Sequence, residues 1–339
     1  MNEFLFSILE WINGWVGSYG WSMVVFTVMI RLVLTPLDIK SRVSMRKTSK
    51  LQPQLQALQK KYANDKEKLN QKTAELYKKE HINPLSSCLP LLLTWPILIA
   101  VFGAMRMAAN VELLEQIKQI LNGTNVQEIT LEPWLWIKNL WMPDSLFSPA
   151  LPDSGMLRQI TADQWQKWFS TMDQNNLPAL IRDAGLTAES FSSANLTATI
   201  QVIFDAMCQN ESYAAAIADM PGLGSGIPLL ITTLHLPQMY NGLIILPILS
   251  AVSQIVMTKV STAGQPKQDP NAPGAGSGKF MTWFFPIFSL VLCFSYSSAF
   301  ALYWVAGNLV SLAQTLIINK VLDQKEQKDA AIAGEGTVK

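Results

Sequence analysis

A chain of 339 residues that is 49% hydrophobic and 15% charged, with 11 Trp, carries too little polar surface for an ordinary soluble globule. Its three cysteines and two histidines are scattered, which excludes a disulfide framework or a metal centre of the usual ligand spacing. The net charge of +1 is uninformative as a total because the charges are segregated along the chain.

Runs of about 17 to 25 mostly apolar residues read as membrane spans, so the expected class is an all-α, polytopic membrane protein. Residues 1–20 carry only Glu3 and Glu10 as charges, unlike the basic start of a secretory signal. Phe4, Ile8, Trp11 and Trp15 recur at helical spacing and predict an amphipathic helix at a bilayer surface. A first turn continuous with the next span is the alternative. The first span is expected at 21–38 and the second at 84–106, with Asn83 as N-cap and Pro84 at the first helical position. A third is expected at 242–258. The last apolar run is about twice the length a bilayer needs and divides into spans at 280–297 and 299–319, turning near Ser295 to Ser298.

Charge orients these five spans. Residues 40–81 hold twelve Lys/Arg against four acids, whereas 111–240 hold five basic residues and thirteen acids. The positive-inside rule puts the first segment in the cytoplasm, hence the N-terminus outside and the C-terminal tail, 320–339, inside. Within 39–82, Leu51, Leu55, Leu58 and Tyr62 share one helical face, Leu69, Thr73, Leu76 and Glu80 share another less perfectly, and Asn64-Asp65 separates them. The prediction is a cytoplasmic helical hairpin with basic outer faces. Arg42, Arg46, Lys47, Lys50, Lys60 and Lys61 are its candidate recruitment residues. Their charge fits either a solvated face drawn to anionic lipid or a dock for something acidic, such as ribosomal RNA or a partner's tail.

In the extracellular loop, 107–240, "TADQWQKWFSTM" (161–172) and "LTAESFSSANLTATIQVIFDAMC" (186–208) offer Thr caps and apolar periodicity, and a packed helical insert is expected at about 155–236. Residues 259–279 read as a flexible cytoplasmic linker. Their "GAGSGK" is one residue short of a phosphate loop, and Phe280 replaces the magnesium-holding Ser/Thr. No cofactor, metal, catalytic residue or nucleotide hydrolysis is expected.

Arg31, in "FTVMIRLVLTPLDIK", is the anomaly. It lies about 15 Å from either interface at 1.5 Å per residue. That position costs on the order of 3 kcal/mol, and snorkelling recovers only part. The apolar stretches of the five spans hold no Asp or Glu, so the charge is expected to face a wet cavity. Ser250, Ser253, Gln254 and Met257 share one face of the third span; Asn308, Ser311 and Gln314 do so in the fifth, towards Thr315. Thr35 lies one turn from Arg31, and Ser86, Ser87 and Thr94 come from the second span. Any one of these could simply bond a neighbouring helix. Two functions fit such a site: a chaperone that binds a passing polypeptide, or an anion transporter or channel using Arg31. No repeat links the first and last spans as in a transporter of duplicated halves, and one arginine supplies a channel's charged ring only in an oligomer.

The stretch from "VMIRLVLTPLDIKSRVSMRK" through "HINPLSSCLPLLLTWPILIAVFGAMR" closely resembles the YidC-type membrane protein insertases, whose relatives occur in mitochondria and chloroplasts. So do "LWMPDSLFSP" (140–149), "NGLIILPILSAVSQIVM" (241–257) and "ALYWVAGNLVSLAQTLIINK" (301–320). The resemblance implies a bacterial plasma-membrane protein with a five-helix core and a hydrophilic groove open to cytoplasm and lipid. It accepts a hydrophobic segment with a short polar tail, without hydrolysis. Arg31 matches the family's groove arginine, Gln254 its polar third-span position, and Trp304 and Asn308 its fifth-span signature. The implied groove comprises Arg31, Thr35, Thr94, Ser253, Gln254, Trp304, Asn308, Ser311 and Gln314. Implied partners are nascent membrane proteins and the lipid bilayer, with the ribosome and Sec translocon as candidates and an unidentified partner for the insert. The sequence departs from the family in lacking Pro-Gly before Leu302-Tyr303-Trp304, and in the insert itself.

Overall fold

The computed structural model describes residues 1–80, 89–221, 227–228, 233–262 and 275–335, with side chains at 1–80, 96–221, 235–262 and 282–328. Helices dominate it. Four are long and apolar enough to cross a membrane: Tyr19–Lys50, Pro96–Leu121, Ile245–Thr262 and Ser298–Lys328, with Thr282–Ser295 a shorter apolar helix among the described residues. The chain forms two compact units, Met1–Val24 with Val101–Ile248 and Leu290–Tyr303, and Val25–Ala100 with Leu249–Ser289 and Trp304–Lys339.

In the first unit, helix α1 (Asn2–Val16) ends where Gly17 turns left-handed at φ 71°. Leu5, Leu9 and Ile12 are buried against the unit, while Phe4, Trp11 and Trp15 are exposed, so α1 is apolar on two sides. Helix α2 (Tyr19–Lys50) starts beside Glu132, whose carboxylate accepts from the Tyr19 N–H at 2.8 Å. Trp134 lies so close over Gly20 that a Cβ there would sit 2.1 Å from its ring.

Helix α5 (Leu89–Leu121) runs well past Arg106, where the second span was expected to end. Apolar residues go on recurring at helical spacing, and Leu114, Ile117 and Ile120 enter the core of the insert. The insert comprises α6 (Ser154–Leu157), α7 (Ala162–Ser170), α8 (Ala179–Asp183), α9 (Leu196–Cys208) and α10 (Glu211–Ile217). Thr161 and Gln164 close a capping box on α7, and Asn210 accepts from the Ser212 and Tyr213 N–H groups to start α10. Trp165 and Phe191, both fully buried, stack at 5.5 Å and 13° in the centre. A two-residue antiparallel pair, Ile227–Pro228 with Thr233–Leu234, follows.

The segment "LWMPD" is a buried anchor. Asp144 accepts from the backbone N–H groups of Leu243 (2.8 Å), Ile244 (3.2 Å) and Leu246 (2.7 Å), capping helix α11 (Ile245–Thr262). Gly242 is required here, because a Cβ would stand 2.0 Å from Asp144 Oδ1. Asn241 donates to the Asn139, Met142 and Pro143 carbonyls. The Met142 carbonyl also accepts from Ser298 N and Oγ, which starts helix α13 (Ser298–Glu335). Helix α12 (Ala275–Ser295) is thereby joined to α13 through Tyr296-Ser297, without the family's Pro-Gly.

In the second unit, α2 continues unbroken to Lys50 and is followed by α3 (Gln52–Lys61) and α4 (Lys66–Lys79). Asp65 accepts from the Lys68 N–H and caps α4. Helices α11 and α12 extend from both sides into the expected linker, to Thr262 and from Ala275; the residues between lie outside those described.

Candidate functional site

Arg31 is half-buried on α2. Its guanidinium rests against Gly307 of α13: a Cβ added there would meet Nη2 at 3.1 Å, Nε at 3.5 Å and Cζ at 3.7 Å. Among the described residues no carboxylate lies within the 4.0 Å of an ion pair with it. Asp38, seven residues along the same helix, lies within the through-space field of both Arg31 and Arg42. Sequence reasoning passed over Asp38 because it falls at the edge of the expected span. Gly307 carried a signal, since an isolated glycine inside a helical pattern usually has a packing reason.

The backbone beneath Arg31 is tied to α13. Gln314 Nε2 donates to the Arg31 carbonyl at 3.1 Å and to Thr35 Oγ1 at 2.7 Å, while Thr35 Oγ1 donates to the same carbonyl at 3.0 Å. Gln314 Oε1 and Ser311 Oγ are buried without a partner among the described residues. Asn308 Nδ2 donates to Ser253 Oγ at 3.0 Å, and Ser253 in turn donates to the Ser250 carbonyl. Gln254 is half-buried on α11 and Trp304 half-buried on α13. The Thr94 side chain, with Ser86 and Ser87, lies outside the described residues. Thus Arg31, Thr35 and Gln314 meet directly, and Ser253 meets Asn308.

The six basic residues assigned to one hairpin divide in two. Arg42, Arg46, Lys47 and Lys50 belong to the continuous helix α2, not to the hairpin, because the helix runs through Pro36, a residue that usually ends or kinks one, as far as Lys50. Arg42 donates to Thr315 Oγ1. Arg46 donates to the Asn319 carbonyl at 3.1 Å and pairs with Asp323 at 2.7 Å, and Lys50 pairs with Glu326 at 3.2 Å. Arg42 and Arg46 thus both bond residues of α13. Lys60 and Lys61 stand exposed on α3. Between α3 and α4 an open cleft of about 410 Å³ is floored by Ala57, Leu58 and Leu76 and rimmed by Lys61, Lys72 and Lys79. Lys72 bonds Glu75 at 2.6 Å, which raises its ammonium pKa.

No group of three His, Cys, Asp or Glu side chains among the described residues is placed to hold a metal ion. A family model described as "60Kd inner membrane protein" matches residues 11–326. The chain belongs to that family. It is a multi-pass membrane protein whose relatives are named as insertases. It is 44% identical over 106 residues to "Membrane protein insertase YidC" of Fusobacterium nucleatum, covering 31% of this chain and 52% of that one. Proteins of the same name from Thioalkalivibrio sulfidiphilus and Aromatoleum aromaticum are 38% identical over 144 residues and 37% over 158. Those matches cover 42% and 46% of this chain, and 23% and 26% of theirs. The chain thus spans about half the length of the first relative and about a quarter of the other two.

Proposed function

We propose that this protein is a membrane protein insertase of the bacterial plasma membrane. It moves short hydrophilic tails across the bilayer and releases the attached hydrophobic segments into lipid, without hydrolysis. The observation that carries this reading is Arg31: a half-buried cation in a helix of spanning length, with no carboxylate at ion-pair distance among the described residues. An arginine near mid-bilayer costs on the order of 3 kcal/mol unless it is hydrated or paired. A water-filled groove lined by Thr35, Thr94, Ser253, Gln254, Trp304, Asn308, Ser311 and Gln314 meets that need, and a passing acidic tail completes it. The attraction is Coulombic and strengthens as water is excluded.

In this reading five helices cross the membrane, α12 (Ala275–Ser295) being the fourth. The N-terminus and insert lie outside; the α3–α4 hairpin and the end of α13 lie in the cytoplasm, as the twelve basic residues against four acids in 40–81 favour. Helix α1 lies at the outer interface with Trp11 and Trp15 towards lipid. The hairpin's exposed lysines receive a ribosome, the Sec translocon or anionic lipid, and the insert engages a further partner. The test is reconstitution into liposomes with a small single-span substrate. Protein-dependent membrane insertion supports the proposal; anion flux in its place supports a transporter.

A further inference from the structure

Gly307 occupies an interior position of α13, where glycine is about 1 kcal/mol less favourable than alanine. Its backbone is helical, so no left-handed turn requires it. What the missing side chain provides is room for one edge of the Arg31 guanidinium: Nη2 and Nε lie 3.1 and 3.5 Å from where a Cβ would be, nearer than Cζ at 3.7 Å. Two turns along the same helix, Gln314 holds the Arg31 carbonyl and the Thr35 hydroxyl through one amide nitrogen. One helix therefore fixes both ends of the arginine, its backbone by Gln314 and the edge of its guanidinium by Gly307.

We infer that Gly307 and Gln314 are positioning residues for the Arg31 charge, and that they set how strongly the protein prefers substrates with acidic tails. The inference rests on the proposed role of Arg31 and adds a geometric requirement to it. A long, flexible arginine is free to sweep through several ångströms by rotation about its stem. A charge that can wander spreads its attraction over that volume. Pressed against Gly307, it holds one place and one orientation and loses less freedom when a carboxylate arrives.

Gly307→Ala and Gly307→Val test this without threatening the helix in the alanine case. Alanine is the better helix former, and the only group it crowds is the end of a flexible side chain. Insertion of an acidic-tailed and a neutral-tailed single-span substrate is measured for each variant after reconstitution, and the ratio of the two rates is taken. The ratio is expected to fall modestly in Gly307→Ala and on the order of tenfold in Gly307→Val, as for an ångström-scale misplacement of an interacting group. Gln314→Leu, which removes the tie at the Arg31 carbonyl, is expected to lower the same ratio. The decisive arm is the double variant. In an Arg31→Ala background, Gly307→Val should lower the ratio no further, since the group it displaces is gone. Rates that fall equally for both substrates, or effects on the ratio that simply add in the double variant, overturn the inference and make Gly307 a packing residue. If Arg31→Ala by itself leaves the ratio at the wild-type value, the proposed role of Arg31 fails first and this inference with it.

Discussion

Two acids show how differently a buried carboxylate is used. Asp144 is fully buried and answers three N–H groups at the start of α11. Asp144→Ala leaves those donors without a partner and should destabilise the protein by about 2 kcal/mol or more, read as a lower Tm in detergent. Asp153 caps the short helix α6, accepting from the Met156 N–H at 2.9 Å, yet burial pushes its carboxyl up against the pull of those backbone bonds. A raised acid favours its protonated form in the folded chain. Its contribution is complete below the ordinary carboxylate range and is lost as pH rises through the raised value. Asp153→Asn keeps a cap of similar quality and removes the ionisable group. The variant should melt higher than the wild type at neutral pH, with the difference closing as pH falls below the ordinary carboxylate range. A difference independent of pH would show that ionisation of Asp153 carries no cost.

At the scale of elements, the continuity of α2 changes what a hairpin deletion means. Removing 52–79 takes out α3 and α4 but leaves Arg42 and Arg46 bonded to Thr315, Asn319 and Asp323. That deletion should weaken delivery of ribosome-bound substrates while purified substrates still insert. Equal insertion in both assays would reduce the hairpin to a lipid contact. The Arg46–Asp323 pair is a half-exposed ion pair and is worth less than about 1 kcal/mol, so Arg46→Ala should barely move Tm. In the insert, Trp165→Ala removes a fully buried ring stacked on Phe191 and should cost about 3–5 kcal/mol, seen as faster proteolysis between 155 and 236.

These elements also mark what was legible beforehand. Thr161 before an apolar period announces the start of α7, and Asn64-Asp65 announces the break between α3 and α4, because caps and breakers are local chemistry. The far end of α5 was not legible, since nothing in "RMAANVELLEQIKQIL" says whether its apolar face meets lipid or protein. Nor was the division of the basic residues. Arg46 looks free along the chain and is held by Asp323 only because the fold brings them together from 277 positions apart.

For the whole molecule, family membership rests on a match over residues 11–326, while the charge-guided mechanism rests on a single guanidinium and its setting. The Arg31 cluster lies in one compact unit and the core of the insert in the other. Damage to the insert core should therefore be separable from loss of the Arg31 charge: Trp165→Ala should lower stability before it alters preference among substrates, and Arg31→Ala should do the reverse. The most direct measurement is protease protection of a small single-span protein with an acidic external tail, in liposomes carrying the wild type, Arg31→Ala or Arg31→Lys. The account predicts protection that depends on the protein, is lost with alanine and is partly kept with lysine, because the attraction is largely that of a positive charge. Equal protection by all three proteins would contradict it.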